Sequence, residues 1–246
     1  MGLPPELAEI FGETTNVFQR ARLISREMVA ESTLALTIER PGNFTFEAGQ
    51  NTMVSIPGTH ADDLKEFTMA SAPSDTDILL VMRLRNSNFK DACYALKPGD
   101  EIMVRSASGT LWRATTMPQI WLSGGIGITP FRSIIRELIS QDAPLAITHI
   151  HSDHSRASTP FLQEFESYAA KHQGFKFFPT MTRETGHEGL RGRITGEMIT
   201  AHAPRYAESV YFVVGTDSFI TSMREVLSEL DIASENVRTE KFDGYK

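Results

Sequence analysis

Glycines, a threonine and a proline crowd into residues 121–135, WLSGGIGITPFRSII. Gly124, Gly125 and Gly127 permit positive φ and close backbone approach. Thr129 is expected to cap a helix and Pro130 to open it, at a position where a missing N–H costs nothing. Such a turn offers free backbone N–H groups and the positive end of a helix dipole, which is phosphate-binding chemistry. A dinucleotide fingerprint reads G-x-G-x-x-G after a strand and before a helix. Here Pro130 stands where the third glycine would, and that glycine ordinarily serves close helix–strand packing. The replacement points to a different pyrophosphate loop, with a tight turn lacking any ligand as the alternative.

A second cluster is THIHSDH, where His149 and His151 share one face of a strand, followed by Asp153 and His154. Imidazole and carboxylate are good metal ligands. The segment nevertheless falls where a nucleotide-binding sheet has its second strand, so the reading here is no metal. Asp153 is a candidate for the acid that binds an NAD ribose at that point, and His154 or Arg156 is expected near the adenosine ribose. No Ser-His-Asp or G-x-S-x-G pattern for nucleophilic catalysis stands out. Cys93 is the single cysteine, so an internal disulfide and a four-thiolate iron–sulfur cluster are both excluded.

The elements that must position these residues fall into two rhythms. In STLALTIER, Leu34, Leu36 and Ile38 alternate with Thr33, Ala35 and Thr37, which predicts a half-buried strand. NTMVSIP, TDILLVMRLR and DEIMVRS are further strands, separated by the turn signals RPGN, PGTH, APSD and KPGD. Short strands so punctuated predict an antiparallel barrel or sandwich. From QIWLS onward strands alternate with helices: FLQEFESYAAKH, TGEMITAHA and SFITSMREVLSEL are helical, while LAITHIH, FKFFPTM, SVYFVVG and NVRTEKF are strands. That alternation builds a doubly wound parallel sheet, with ligands beyond the carboxyl ends of its strands. The strand ends are SGGIGITP, HSDHSR, TMTRE and GTDS. The boundary is placed near residues 113–119, giving a barrel domain over 1–116, with 1–18 as an extension, and an α/β domain over 117–246.

Net charge is −7, which argues against wrapping nucleic acid over a large surface. No run of 18 apolar residues is present, so no membrane insertion is expected. The N-terminal stretch lacks the apolar core of a signal peptide, and a cytoplasmic location is the default.

Taken in order, FEAGQ, EFTMASAP, SNFKDACYALKPGDEIMV, GGIGITP, the VGT turn and TEKF resemble the ferredoxin–NADP+ reductase family over nearly all of the chain beyond its first eighteen or so residues. The resemblance implies a flavin-binding antiparallel β-barrel followed by a nicotinamide-binding α/β domain. The family's Arg-x-Tyr-Ser/Thr flavin motif reads Lys65, Glu66, Phe67, Thr68. Thr68 fits the hydroxyl near flavin N5, Phe67 the stacking ring, and Lys65 keeps the charge without the bidentate fork of arginine. Ser87, Asn88 and Lys90 open a helix suited to a flavin pyrophosphate, which favours FAD over FMN. Trp112 falls where part of the adenosine pocket is expected, or plugs the domain junction.

The family's Cys-Gly-Pro turn beside the nicotinamide reads Val214, Gly215, Thr216. Glu240 and Phe242 match a terminal glutamate–x–aromatic pattern. Phe242 is then the shield over the flavin, with Tyr245 as its rival, and Thr68, Glu240 and Phe242 are the expected catalytic residues. Arg183 and Arg193 resemble the arginines that bacterial members aim at a 2′-phosphate, so NADPH leads over NADH. The implied activity is transfer of a hydride from NAD(P)H to bound FAD, with electrons passing to a separate ferredoxin- or flavodoxin-type carrier. Two alternatives stand beside it: a reductase of small acceptors such as free flavin or ferric chelates, and a flavin-binding regulatory subunit without turnover.

Overall fold

The computed structural model describes residues 18–59, 64–111, 115–184, 186 and 188–242 of the 246. The chain divides into two units, the first Met1–Thr110 with Arg132–Glu137, the second Leu111–Phe131 with Leu138–Lys246.

Among its described residues the first unit holds six antiparallel strands: β1 (Gln19–Ala30), β2 (Thr33–Ile38), β3 (Asn51–Ser55), β4 (Lys65–Thr68), β5 (Ile78–Arg83) and β6 (Glu101–Val104). Their order is β4-β3-β6-β1-β2-β5. The two outer strands meet where Met69 bridges to Leu80 and the Ala70 N–H donates to Leu79 O at 2.8 Å, which curls the sheet toward a barrel. Its core gathers Leu23, Leu34, Leu36, Ile38, Val54, Leu80 and Ile102. The helix α1 (Asn88–Ala95) lies between β5 and β6 in the chain and sends Phe89 and Cys93 into that core. Burial pushes the Cys93 thiol up to about 12, so it is an inert core residue rather than a nucleophile.

Two strand expectations change. β1 is the longest strand yet escaped the pattern reading, because only Ala21 and Leu23 of its twelve residues are buried. β2 is covered on both faces rather than one. Thr33 is fully buried because its hydroxyl is satisfied, donating to Glu31 O at 3.0 Å and accepting from Arg83 Nη1 at 2.9 Å, and Ala35 is small enough to pack.

The second unit is a parallel sheet of β7 (Gln119–Gly124), β8 (Ile147–Asp153), β9 (Phe175–Met181), β10 (Leu190–Arg191), β11 (Val210–Gly215) and β12 (Val237–Lys241), in the order β10-β9-β8-β7-β11-β12. It holds the two ends of α2 (Thr129–Ser140), whose residues 132–137 group with the first unit, and the whole of α3 (Leu162–Lys171), α4 (Gly196–His202) and α5 (Asp217–Glu229). On one face Trp121 stacks on Phe131 of α2 at 4.8 Å, and Phe165 of α3 meets Phe175 and Phe177. On the other, Ile120, Leu122, Ile150, Tyr211 and Val213 pack with Ile199 of α4 and Ile220, Met223 and Leu227 of α5. The sheet is therefore wound on both faces. The strand order turns back between β7 and β11, which makes their carboxyl ends the switch point of the sheet.

Among the described residues no helix is long and apolar enough to cross a membrane.

Candidate functional site at the strand ends

In the first unit the candidate residues collect around β4 and the start of α1. Ser87 caps α1 from an extended backbone, and its hydroxyl accepts the Lys90 N–H at 3.2 Å. The N–H groups of Asn88 and Phe89 belong to the first turn, which has no intrahelical acceptors to offer them. Lys90 is held below its usual range, first by burial and then by the like charges of Arg85 and Lys65, with Cys93 pulling the other way. Three cations around a helix N-terminus repel one another and attract an anion. Arg85 was missed in the sequence, although it stands two residues before the cap in RNSNF.

Period-two alternation along β4 sends Phe67 and Thr68 to opposite faces. Phe67 turns into the barrel core, 8% exposed, with its ring stacked on Phe89 at 5.9 Å. One face of that ring is therefore committed to the protein. Thr68 is buried at the register position opposite Asn51. Trp112 and Tyr245 lie outside the described residues, as does nearly all of the N-terminal extension.

The second unit lines up its candidates along one sheet edge. β7 ends at Gly124, and a 3-10 turn runs Gly125–Ile128 before α2 begins. Gly125 sits at φ +55°, in the left-handed region that glycine tolerates best. Gly127 has a different reason. A Cβ there would fall 2.5 Å from Val214 O and 2.9 Å from its carbonyl carbon, so the glycine lets the turn press against the end of β11. The close-packing function that the third fingerprint glycine would serve is carried here by Gly127.

Thr129 does not cap the helix. It is already helical, at φ −60° and ψ −47°, and buried, and its hydroxyl donates to Ile126 O at 3.0 Å. The helical path starts five residues earlier than expected, at Gly125 instead of Pro130. Pro130 then has no N–H to send back to Ile126 O, and the backbone and side chain of Thr129 both fill that acceptor.

Beside this turn, β11 ends at Gly215, and Thr216 caps α5 by accepting the Phe219 N–H at 3.4 Å. The half-buried Phe219 ring spans both strand ends. A Cβ on Gly124 would lie 2.9 Å from it, and one on Gly215 2.6 Å. The two glycines are what admit the ring, a pairing invisible in the sequence because residues 124 and 215 are far apart. β12 follows, with Glu240 in register with Val214 and the Phe242 N–H donating to Gly215 O at 2.9 Å. Lys241 and Asp217 form an exposed pair at 3.1 Å.

At the opposite end of the edge, β9 and β10 pair Met181 with Arg191. Arg183 and Arg193 each stand two residues beyond that pair, both exposed. The Arg183 N–H donates to His154 O, which ties it to the loop after β8. Arg156 of that loop pairs with Glu166 at 2.9 Å, and its N–H donates to Glu184 at 2.6 Å.

Beneath the edge lies a buried polar line. Ser123 Oγ sits 2.7 Å from both His149 Nε2 and His151 Nδ1. Both imidazoles are fully buried, and burial, then the neighbouring His151, holds His149 well below the ordinary histidine range. Asp153 is turned inward, 5% exposed, and Oδ1 accepts from the His154 N–H at 2.7 Å and Ser158 Oγ at 2.8 Å. Against the expectation that Asp153 grips a ribose stands its geometry: the side chain is turned inward and Oδ1 is already in use.

Residues 121–225 match the family model described as the oxidoreductase NAD-binding domain. The chain is 26% identical to a flavohemoprotein of Bacillus subtilis over 80% of its length and 51% of that protein. It is 24% identical to ferredoxin–NADP reductase B of Sorangium cellulosum, over 91% of this chain and 97% of that one. Among solved structures, a ferredoxin–NADP+ reductase from Neisseria gonorrhoeae with bound FAD and NADP superposes with a TM-score of 0.78 at 18% identity, covering 93% and 99% of the two chains. Several curated relatives are about twice as long, and the chain spans 51–56% of them.

Proposed function

We propose that this chain, which belongs to the ferredoxin–NADP+ reductase-like family, is an FAD-dependent NAD(P)H oxidoreductase whose electrons go on to a separate small carrier of the ferredoxin or flavodoxin type. The observation that carries the reading is the alignment of chemistry along the carboxyl edge of the second sheet. Arginines stand at β9 and β10, a glycine turn at β7, and a glycine–aromatic pair at β11 and β12. Strands are spaced about 4.8 Å apart, so β9 to β11 spans about 14 Å along the edge. That suits an extended dinucleotide with its pyrophosphate at the glycine turn.

In this reading Gly125–Gly127 present backbone N–H groups to the pyrophosphate. Gly215, Thr216, Glu240 and Phe242 stand at the nicotinamide end. Arg183 and Arg193 receive a 2′-phosphate through their planar forks, which favours NADPH. In the first unit, Lys65, Arg85 and Lys90 with the first turn of α1 fit the pyrophosphate of FAD, because their mutual repulsion is relieved by a dianion. Thr68 is the hydroxyl we assign to the flavin ring. Bound FAD supplies the two-electron acceptor that nicotinamide reduces and that releases electrons singly or in pairs. The protein's part is to hold the reacting atoms in place and to keep charges where they are needed.

The test is spectroscopic. Purified protein should carry a flavin absorbance that NADPH bleaches without oxygen, and reduced ferredoxin or flavodoxin should then accumulate faster than any dye is reduced. A colourless chain that takes up no flavin overturns the reading. Bleaching followed by faster transfer to free flavin or ferric chelates replaces the carrier protein with a small acceptor.

A further inference from the structure

We infer that the buried line Ser123–His151–Asp153 sets dinucleotide selectivity, by holding the Asp153 carboxylate away from the adenosine ribose. The inference rests on the NADPH reading above. Asp153 is the last residue of β8, the second strand in chain order of its sheet, and at that place an outward carboxylate favours a 2′-hydroxyl and repels a 2′-phosphate. Here it does neither, because three groups turn it inward. Oδ1 is taken by the His154 N–H and by Ser158 Oγ. Oδ2 faces His151 Nε2 at 3.9 Å, too long for a hydrogen bond and short enough for attraction between a carboxylate and an N–H dipole.

The hydrogen positions along the line follow from its geometry. His149 Nδ1 has no hydrogen-bond partner, so its proton belongs on Nε2, which donates to Ser123 Oγ. Ser123 then donates its own proton to His151 Nδ1, which leaves the His151 proton on Nε2, pointing at Asp153. The two hydrogen bonds at Ser123 each have one donor and one acceptor, and the last N–H points at a carboxylate. Phe131, Phe165, Phe177 and Trp121 surround His149 and keep water from competing. Arg183 lies close by through its bond to His154 O, so the direction of the Asp153 charge decides whether a phosphate at Arg183 meets repulsion.

His151 and Ser123 are therefore positioning residues acting through Asp153. The experiment is a double-mutant cycle on the FAD-loaded chain, with His151→Phe, Asp153→Asn and the pair, reading Kd for NADP+ and for NAD+ by calorimetry. His151→Phe should shift the NADP+/NAD+ preference at least threefold toward NAD+. Asp153→Asn alone should keep the ratio within twofold, since its hydrogen-bonded oxygen remains. In the pair the ratio should return to the wild-type value, because there is no charge left to release. Ser123→Ala, smaller and free of overpacking, should repeat the His151→Phe shift in weaker form.

Equal changes for both dinucleotides, or a shift that survives in the pair, overturn the inference by showing a packing effect alone. If His151→Phe does not fold, Ser123→Ala with and without Asp153→Asn decides by the same criterion. Wild-type protein that binds neither dinucleotide removes the functional reading itself, and the inference with it. Wild-type protein that discriminates while the cycle stays flat removes the inference only.

Discussion

Gly127 shows how one residue changes meaning once its neighbours are known. In the sequence it reads as room for a ligand, and in the fold it is room for Val214. A Cβ 2.5 Å from a backbone oxygen cannot be relieved by a side-chain rotation, so the end of β11 or the turn itself must move. Overpacking of this kind costs about 1–3 kcal/mol. Gly127→Ala should therefore lower the melting temperature by several degrees, and dinucleotide affinity should fall with it. Gly125→Ala, forced into a left-handed backbone, should cost about 1–2 kcal/mol through backbone strain. Thermal melts with calorimetric titration of NADP+ check both. An unchanged melt with binding selectively lost for Gly127→Ala returns that residue to the ligand. Thr129 carries the same lesson: its type suits a cap, but a turn that begins at Gly125 had already supplied the helix start, and residue type alone does not reveal that.

Helix α2 is the element whose surroundings the sequence concealed most. Phe131, Ile134, Ile135, Leu138 and Ile139 recur in the sequence at helical spacing, and the first three are buried as that spacing requires. What was not legible is that residues 132–137 group with the first unit. There Arg132 donates to Ala70 O at 2.7 Å, Arg136 Nε to Asp75 Oδ2 at 3.0 Å, and Glu137 accepts the Ser74 N–H at 2.9 Å. Burial alone would raise the Asp75 pKa, but the Arg136 hydrogen bond, the Ala72 N–H and the charges of Arg136 and Arg132 outweigh it and leave the group below its ordinary value of 3.8. A lowered acid stabilises the fold in its ionised form. That contribution is fully present above about pH 3.8 and is lost as pH falls through the lower folded value. Asp75→Asn should accordingly destabilise the protein at pH 7 and flatten the part of the acid-unfolding curve below pH 4, measured by circular dichroism. A curve parallel to wild type in that range denies Asp75 this role.

At the scale of the whole molecule, the two rhythms of the sequence separated an antiparallel sheet from a parallel one because strand–helix alternation leaves a periodic trace. The pairings that build the site left none. Lys65 beside Lys90, Phe219 across Gly124 and Gly215, and Ser123 between two histidines all join residues distant in sequence through sheet order. The proposed function gives each unit one ligand, the flavin to the first and the dinucleotide to the second, and charge reversal tests that division. Arg85→Glu with Lys90→Glu places two acids where the flavin pyrophosphate is proposed to lie. FAD content per chain should then drop at least tenfold, since a charge-assisted hydrogen bond is worth about 1.5–3 kcal/mol and each substitution also adds repulsion. Affinity for NADP+, read by calorimetry because the flavin signal will be gone, should change little.

The opposite substitutions, Arg183→Ala with Arg193→Ala, should leave FAD stoichiometry at one per chain. They should weaken NADP+ by about ten- to a hundredfold and NAD+ far less, because only NADP+ carries the 2′-phosphate. Both proteins should keep their fold, since Arg85, Arg183 and Arg193 are exposed and Lys90 is only half-buried. The informative result is the crossing of the two patterns. If the first pair reduces both ligands in proportion, the cations around α1 hold the protein together instead of holding FAD. If the second pair weakens NAD+ as much as NADP+, the arginines act on the shared adenosine or pyrophosphate, and the preference for NADPH loses its support.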